Sequence, residues 1–399
     1  MLVSHEDGGS AMPRLSLFRR QLLRLLQYVL LPLTLFYILV IYEPVPLSRL
    51  SHPRRKIDYD AHPTYEYTSL YRQKADLAFE QALDKKLLSL EQDTISLLDE
   101  ADDLEADAVI WQLTTPDVAT ALKEWTKQWK LNNRDWDYFL LTARPAELYG
   151  YFESIPEIDA MKETSQDIQN DLTRYMLLWY HGGFYADVET WNRISLLDCK
   201  PIYDYTAREQ GHNVSLMIGV ETDEPYISAK QLREWRWARG FGFGQASMWA
   251  PMRFDPILRK AIVRTISNSR TQGRSAHEGW IQSLKNHVLG GRSEEVSGRG
   301  MFTDLVLEVL SESLKEDHRM RDRDAGLEHR VTWKKFRAMR ETAWMDVSQV
   351  KEGSEDNMRG LAVLPVNIWY SGQNHSRSGS FEHPSACINY VPGFRPKHS

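Results

Sequence analysis

Asp187 and Glu189 are two carboxylates separated by one residue, at the end of the run Gly183-Phe184-Tyr185-Ala186-Asp187-Val188-Glu189. Read as a strand from Gly183 to Val188, the run turns Phe184, Ala186 and Val188 one way. Asp187 and Glu189 then point the other way, about 6–7 Å apart along the chain. Two carboxylates on one face at the C-terminal end of a strand can hold a divalent cation and, through it, a diphosphate. In open α/β sheets that end of the strands is where ligands bind. The spacing alone is not diagnostic, because Asp58/Asp60, Asp135/Asp137 and Asp322/Asp324 share it. Those three pairs lie in charged or turn-like surroundings and read as solvated surface.

What distinguishes Asp187 and Glu189 is the frame around them. Ile168, Leu172, Tyr175 and Trp179 form the i, i+4, i+7, i+11 stripe of a core-facing helix from Ser165 to Tyr180. Thr164 or Ser165 can cap its start, and Gly182 or Gly183 can take the left-handed conformation at its end. Asp171 and Arg174, three apart, share one face of that helix and by spacing alone form a surface ion pair. The glycines let the backbone turn sharply into the strand. Upstream, Ala108 to Trp111 and Asp137 to Leu141 read as short strands, with a helix from Pro116 to Leu131 between them carrying Leu122, Trp125 and Trp129 at helical spacing. Ser215 to Val220 reads as a further strand. Strands alternating with helices imply an α/β domain with a largely parallel sheet. The stretches from Gly290 to Gly300 and from Lys315 to Arg330 read as polar loops or a surface helix, and the tail beyond Pro365 shows little regular pattern.

With those residues in view, the string from Asp171-Leu172-Thr173-Arg174-Tyr175 through Trp179-Tyr180-His181-Gly182-Gly183-Phe184-Tyr185-Ala186-Asp187-Val188-Glu189 resembles the Asp-x-Asp sugar-binding region of glycosyltransferase family 32. That family includes fungal initiating α-1,6-mannosyltransferases. Ile110-Trp111-Gln112, Trp136-Asp137-Tyr138, Ile218-Gly219-Val220-Glu221, Gly244-Gln245-Ala246-Ser247 and Val363-Leu364-Pro365 are similar to further blocks of the family, so the resemblance runs from about Asp107 to Phe394. It implies a nucleotide-sugar-binding α/β fold of the GT-A type, a divalent cation such as Mn²⁺, and a nucleotide-sugar donor, GDP-mannose being the family's usual one. Carried over by position, Asp171, Arg174, Gly182, Gly183 and Asp187 bind the donor, with Trp111 a candidate to stack on its base. Asp187 and Glu189 take the metal-ligand positions. Asp187, Glu189 and Arg174 carry catalysis of a retaining transfer that needs no protein nucleophile. Two departures stand out. The second metal carboxylate is usually Asp and here is Glu189. A His commonly precedes a Gly-Ser-Trp-like ending, and the stretch aligned with it, Asn389-Tyr390-Val391-Pro392-Gly393-Phe394, has none. Those departures motivate a second class of reading, a catalytically inactive scaffold for partner transferases. A third changes only the acceptor, from a glycan to an inositol-containing sphingolipid.

The rest of the chain sets the context. A net charge of -6 over 399 residues gives no electrostatic reason to expect nucleic acid, and the densest basic run, Arg54-Arg55-Lys56, reads as a solvated flank. Leu25 to Tyr42 is uncharged and reaches the lower length limit of a membrane span, with Arg14, Arg19, Arg20 and Arg24 before it. The implied organisation is a cytosolic head (1–24), a transmembrane signal anchor (25–42), a stalk and solvated stem helix (43–106) and a lumenal glycosyltransferase domain (107–399) in the Golgi membrane. Leu83, Leu87, Leu90, Leu97 and Leu98 mark the stem helix. Asn213-Val214-Ser215 and Asn374-His375-Ser376 are glycosylation triplets. Cys199 and Cys387 are the two cysteines, open to one disulfide or two buried thiols. Trp235, Trp237 and Trp249 either pack in the core or line a sugar site.

Overall fold

In the computed structural model, the short β-rich runs and amphipathic helices fold as a seven-stranded sheet with helices on both faces. The structure describes Tyr28 and residues 75–97, 104–142, 144–207, 212–235, 237, 239–277, 292–323 and 329–392. Apart from Tyr28 these belong to one unit. The anchor expected at Leu25 to Tyr42 lies outside the described residues, Tyr28 aside. Among the described residues no helix is long and apolar enough to cross a membrane.

The strands are β1 (Val109–Leu113), β2 (Asp137–Leu141), β3 (Gly183–Ala186), β4 (Thr190–Asn192), β5 (Leu216–Asp223), β6 (Phe241–Ala250), β7 (Ala343–Met345), β8 (Leu361–Leu364) and β9 (Ile388–Tyr390). The main sheet has the order β2-β1-β3-β6-β5-β8-β7. β1, β2, β3, β5 and β8 run one way, while β6 and β7 run against them. The sheet is therefore mostly parallel in direction, with an antiparallel strand at its centre. That strand, β6, is buried along its whole length. Its sequence hides it: Phe241-Gly242-Phe243-Gly244-Gln245 has neither the alternation of a half-buried strand nor an unbroken branched run.

Five helices matter for the site: α1 (Leu77–Ile95), α2 (Lys123–Asn132), α3 (Gln166–Tyr180), α4 (Pro256–His277) and α5 (Arg299–Ser313). The helix expected from Pro116 to Leu131 breaks at Leu122 into a short Pro116–Ala121 segment and α2. β3 sorts the two layers. Phe184 packs on Trp129 of α2 and on Trp369, whereas Tyr185 turns to the other face and meets Arg174 of α3.

The solvated stem helix expected within 43–106 is corrected by α1. Leu83 and Leu87 are fully buried in the main core, and α1 lies along α4. Glu91, also buried, takes Arg259 at 3.1 Å and Arg359 at 2.9 Å, and Asp84 takes Arg259 at 3.0 Å. The weak leucine repeat is thus a docking stripe, shaped to one groove of its own domain rather than to a second helix.

The second sheet is a two-stranded ribbon of β4 and β9. Cys199 and Cys387 form a disulfide beside it, which settles the two-way reading of the cysteines. β9 lies in the tail that showed little pattern, because three residues paired to a distant strand leave no periodic signal.

Candidate active site

Strand β3 ends at Ala186, one turn sooner than its sequence suggests. Asp187 follows the strand, and Val188 and Glu189 occupy a turn closed by the Thr190 amide on the Asp187 carbonyl at 3.0 Å. The two carboxylates are therefore not alternating strand positions; a turn presents them. Asp187 is held on every backbone atom that can bond. Its amide donates to Ala246 at 2.8 Å, and its carbonyl also accepts from the Thr190 hydroxyl at 2.5 Å and from buried Gln112 at 3.2 Å. The Glu189 carbonyl accepts from the Val391 amide at 3.1 Å, so β9 fixes the turn from the far end of the chain.

The Asp187 side chain is held as firmly. Arg174 donates through Nη2 to Asp187 Oδ1 at 3.0 Å and through Nη1 to Asp171 Oδ1 at 3.0 Å. The Tyr185 hydroxyl adds a bond to Asp187 Oδ1 at 2.8 Å. Asp171 in turn accepts from Ser297 at 2.7 Å. The Arg174 side chain is only 7% exposed, so this is no surface ion pair. One guanidinium fork bridges two carboxylates, which a point charge could not reproduce. Its Nε is buried without a partner. Burial pushes Asp171 up to about 6, against the pull of Arg174 and Ser297. Burial likewise keeps the Tyr185 phenol protonated, well above its usual range.

Asp171, Arg174 and Asp187 border an open cavity of about 220 Å³. The sequence reading missed its other walls. Glu221, at the cavity end of β5, takes Arg299 at 2.7 Å, and Arg299 also reaches Glu294 at 3.3 Å. Gln245 of β6 binds the Tyr175 hydroxyl and the Ser297 carbonyl. Ser293, Glu294, Gly298 and Arg299 come from the stretch read as polar loops or a surface helix; it forms a short helix, Arg292–Val296, and the start of α5, and these four residues line the cavity instead of facing only solvent. Tyr390 of β9 is the last wall. Burial, then the charges of Glu221, Asp187 and Glu189, drive its phenol far above the usual value, so the hydroxyl remains a donor among three carboxylates. Glu221 and Gln245 stood inside family-like blocks and could have been singled out there. Tyr390 and Arg299 carried no such signal.

Glu189, in the turn after Asp187, is not among the cavity's lining residues, and three further expected site residues lie elsewhere. Trp111 stacks on Phe139 at 5.2 Å, and its indole N–H donates to the Gly182 carbonyl at 3.0 Å; it is not among the cavity's lining residues. Gly182 and Gly183 have φ of +70° and +87° and begin β3, at the end away from Asp187. A Cβ on Gly183 would stand 2.7 Å from the Val109 carbonyl, and one on Gly182 would stand 2.3 Å from the Ala106 side chain. Their work is close packing of β3 against its neighbours. Asn213 and Asn374 are both exposed. Trp249 is buried against Trp136 and Tyr205. Trp235 and Trp237 pack edge to face at 4.7 Å, and Trp237 meets His375 at 4.4 Å and the Arg299 guanidinium at 5.6 Å. His375 precedes Gly379-Ser380-Phe381, a His before a Gly-Ser-aromatic ending. Burial and Arg299 lower its pKa to about 4, so the ring is neutral near pH 7.

Residues 119–206 match the family model described as the glycosyltransferase sugar-binding region containing a DXD motif. That span is similar to a glycosyltransferase sugar-binding region. Asp171, Arg174, Asp187 and Glu189 all lie in the matched span. HOC1 of Saccharomyces cerevisiae, a protein named as a glycosyltransferase, is 27% identical over 237 residues. The initiation-specific α-1,6-mannosyltransferase of Candida albicans is 22% identical over 277 residues. These alignments cover 57% and 67% of this chain, and 53% and 65% of the relatives' own lengths. Among solved structures, the PaToxG glycosyltransferase aligns with a TM-score of 0.33 at 13% identity, over 60% of this chain and 78% of that one. Mouse xyloside xylosyltransferase 1 aligns with a TM-score of 0.27 at 11% identity, over 51% and 82%.

Proposed function

We propose that the chain is a metal-dependent, retaining hexosyltransferase that uses its sugar-binding region to transfer a mannose from GDP-mannose to a glycan acceptor. The observation that carries the reading is the Asp171–Arg174–Asp187 bridge in the wall of a cavity, with the second metal-ligand candidate, Glu189, in the turn that follows Asp187. The named activity of the Candida albicans relative, an α-1,6-mannosyltransferase, supports mannose as the sugar.

A divalent cation suits these residues. Among the described residues no group of three or more His, Cys, Asp or Glu could hold a metal without help. Two carboxylates presented by one rigid turn make the kind of half-site that a cation such as Mn²⁺ completes with substrate phosphates and water. The bonds on the Asp187 side chain all use Oδ1. When bound, the cation would supply charge stabilisation to the departing diphosphate. Asp187 and Glu189 would hold it. Both terminal nitrogens of Arg174 are engaged by carboxylates, so its part is to orient Asp187 and set the charge balance rather than to act as a free phosphate clamp. Tyr390 and Arg299 supply donors on the opposite wall. In the transfer, the bond from the anomeric carbon to the phosphate oxygen breaks and its electron pair leaves with the nucleoside diphosphate. The acceptor oxygen forms the new bond from the same face and loses its proton to a leaving-group oxygen.

The reading extends to a lumenal, Golgi-type location on a single N-terminal anchor. It is supported by the uncharged run from Leu25 to Tyr42, by the two exposed acceptor asparagines, and by a disulfide that needs an oxidising compartment. The test is turnover of a panel of GDP- and UDP-sugars by the full chain, with and without manganese. The expected result is manganese-dependent release of GDP from GDP-mannose. A protein silent toward every donor would overturn the reading in favour of a scaffold.

A further inference from the structure

A second cavity lies outside the donor site. It is a cleft of about 370 Å³ lined by Trp125, Trp191, Phe381, Arg193, Glu382 and Asn389, among others. The register of the β4–β9 ribbon relates the two cavities. Trp191 pairs with Asn389, and Thr190 with Tyr390. Side chains alternate along a strand, so one face of the ribbon presents Trp191 and Asn389 to the cleft while the other sends Tyr390 to the donor cavity. The turn bearing Glu189 is continuous with the ribbon and is tied to Val391, which also lines the cleft.

The chemistry of the cleft is selective. Trp125 and Trp191 meet at 82° with ring centroids 5.7 Å apart, forming an aromatic corner, and Phe381 is 47% exposed beside it. Exposed aromatic faces suit the C–H faces of a pyranose. A guanidinium and a carboxylate at the rim suit vicinal hydroxyls. The Arg193 bonds to the His383 and Ala386 carbonyls both use Nη1. Asn389 supplies an independent observation. It is 2% exposed, its amide nitrogen donates to the Phe381 carbonyl at 3.2 Å, and its Oδ1 is buried with no partner. A buried acceptor left unbonded asks for a donor such as a hydroxyl.

We propose that this aromatic cleft binds a non-reacting pyranose of the acceptor glycan, holding the acceptor across the β4–β9 ribbon so that a further sugar reaches the donor cavity. The inference rests on the transferase reading for the identity of the acceptor. Remote binding of this kind positions the reacting hydroxyl without touching it. It requires an acceptor of two or more sugars, because one ring cannot occupy both sides of the ribbon.

The test is titration of the full chain with an α-linked mannotriose, read by tryptophan fluorescence, beside acceptor kinetics. Trp125→Ala and Phe381→Ala should each weaken mannotriose binding at least tenfold and raise the acceptor KM by a similar factor. Trp125→Phe should recover most of the loss. Melting temperature and affinity for GDP with manganese should remain those of the native chain. Unchanged mannotriose affinity in Trp125→Ala and Phe381→Ala would overturn the cleft, as would equal loss of GDP affinity. Mannotriose binding that needs these aromatics in a chain that turns over no donor would leave the cleft standing and remove the transferase reading. Turnover with an unchanged acceptor KM would do the reverse.

Discussion

At the scale of single residues, the chemistry converges on Asp187 and on the fork that holds it. Arg174→Lys retains the charge but cannot bridge Asp171 and Asp187, and it frees the carboxylate to rotate. A misplacement of about 1 Å at such a centre costs about 100-fold, so kcat of Arg174→Lys is expected to fall by about that factor with little change in melting temperature. Asp187→Ala and Glu189→Ala should each abolish manganese-dependent turnover while leaving the circular dichroism spectrum intact; full activity in either would dismiss it as a ligand. Asp171 carries a pH signature of its own. Its folded pKa, raised to about 6 chiefly by burial, lies above the usual carboxylate value, so the folded state binds the proton more tightly than the unfolded chain. The stability it contributes is complete below about pH 4 and is lost as pH rises through 6. Activity moves the other way, because the charged bridge exists only above pH 6. An acid limb near pH 6 in kcat, absent from Asp171→Asn, would show both.

At the scale of elements, the helix, the double glycine and the start of β3 were legible because each leaves a local mark: an apolar stripe, a C-terminal glycine, a β-rich run. The function of the glycines was not. Both take positive φ and sit against neighbouring backbone, so Gly183→Ala is expected to destabilise the domain by at least ~2 kcal/mol, seen as a lower denaturation midpoint. The turn after β3 was misread as strand because Asp187-Val188-Glu189 alternates correctly, and alternation cannot report where pairing stops. α1 was misread because the sequence shows an amphipathic stripe but not its partner. Its Glu91, buried between Arg259 and Arg359, behaves as a lock. Glu91→Ala leaves Arg359 without its carboxylate and Arg259 with Asp84 alone, and such losses cost about 3–5 kcal/mol, read as a lower denaturation midpoint.

At the scale of the whole molecule, the site is assembled from distant parts of the chain: α3 and β3, Glu221 of β5, Gln245 of β6, Arg299 of α5 and Tyr390 of β9. The β4–β9 ribbon closes the set, and the Cys199–Cys387 bond spans 188 residues to secure it. In the chain-entropy picture a loop of that length stabilises the fold by about 5 kcal/mol. Replacing both cysteines by serine should therefore lower the melting temperature on the order of 10 °C. It should also raise the KM of both the donor and a glycan acceptor, since β9 sends Tyr390 to the donor cavity and Asn389 to the aromatic cleft. Equal melting curves with and without reductant would argue that the pair contributes no stability.

By itself, the amino-acid sequence determined the α/β class, the helix that carries Asp171 and Arg174, the candidacy of Asp187 and Glu189, and the resemblance to glycosyltransferases. All of these rest on contiguous residues whose periodicity or order is local. Only the tertiary structure decided that β6 runs antiparallel at the centre of the sheet, that α1 is docked, and that Trp111 stacks on Phe139. It alone brought Glu221, Arg299 and Tyr390 to the two carboxylates. Those facts depend on which buried surface meets which, and a pairing between residues far apart in the chain has no period to read.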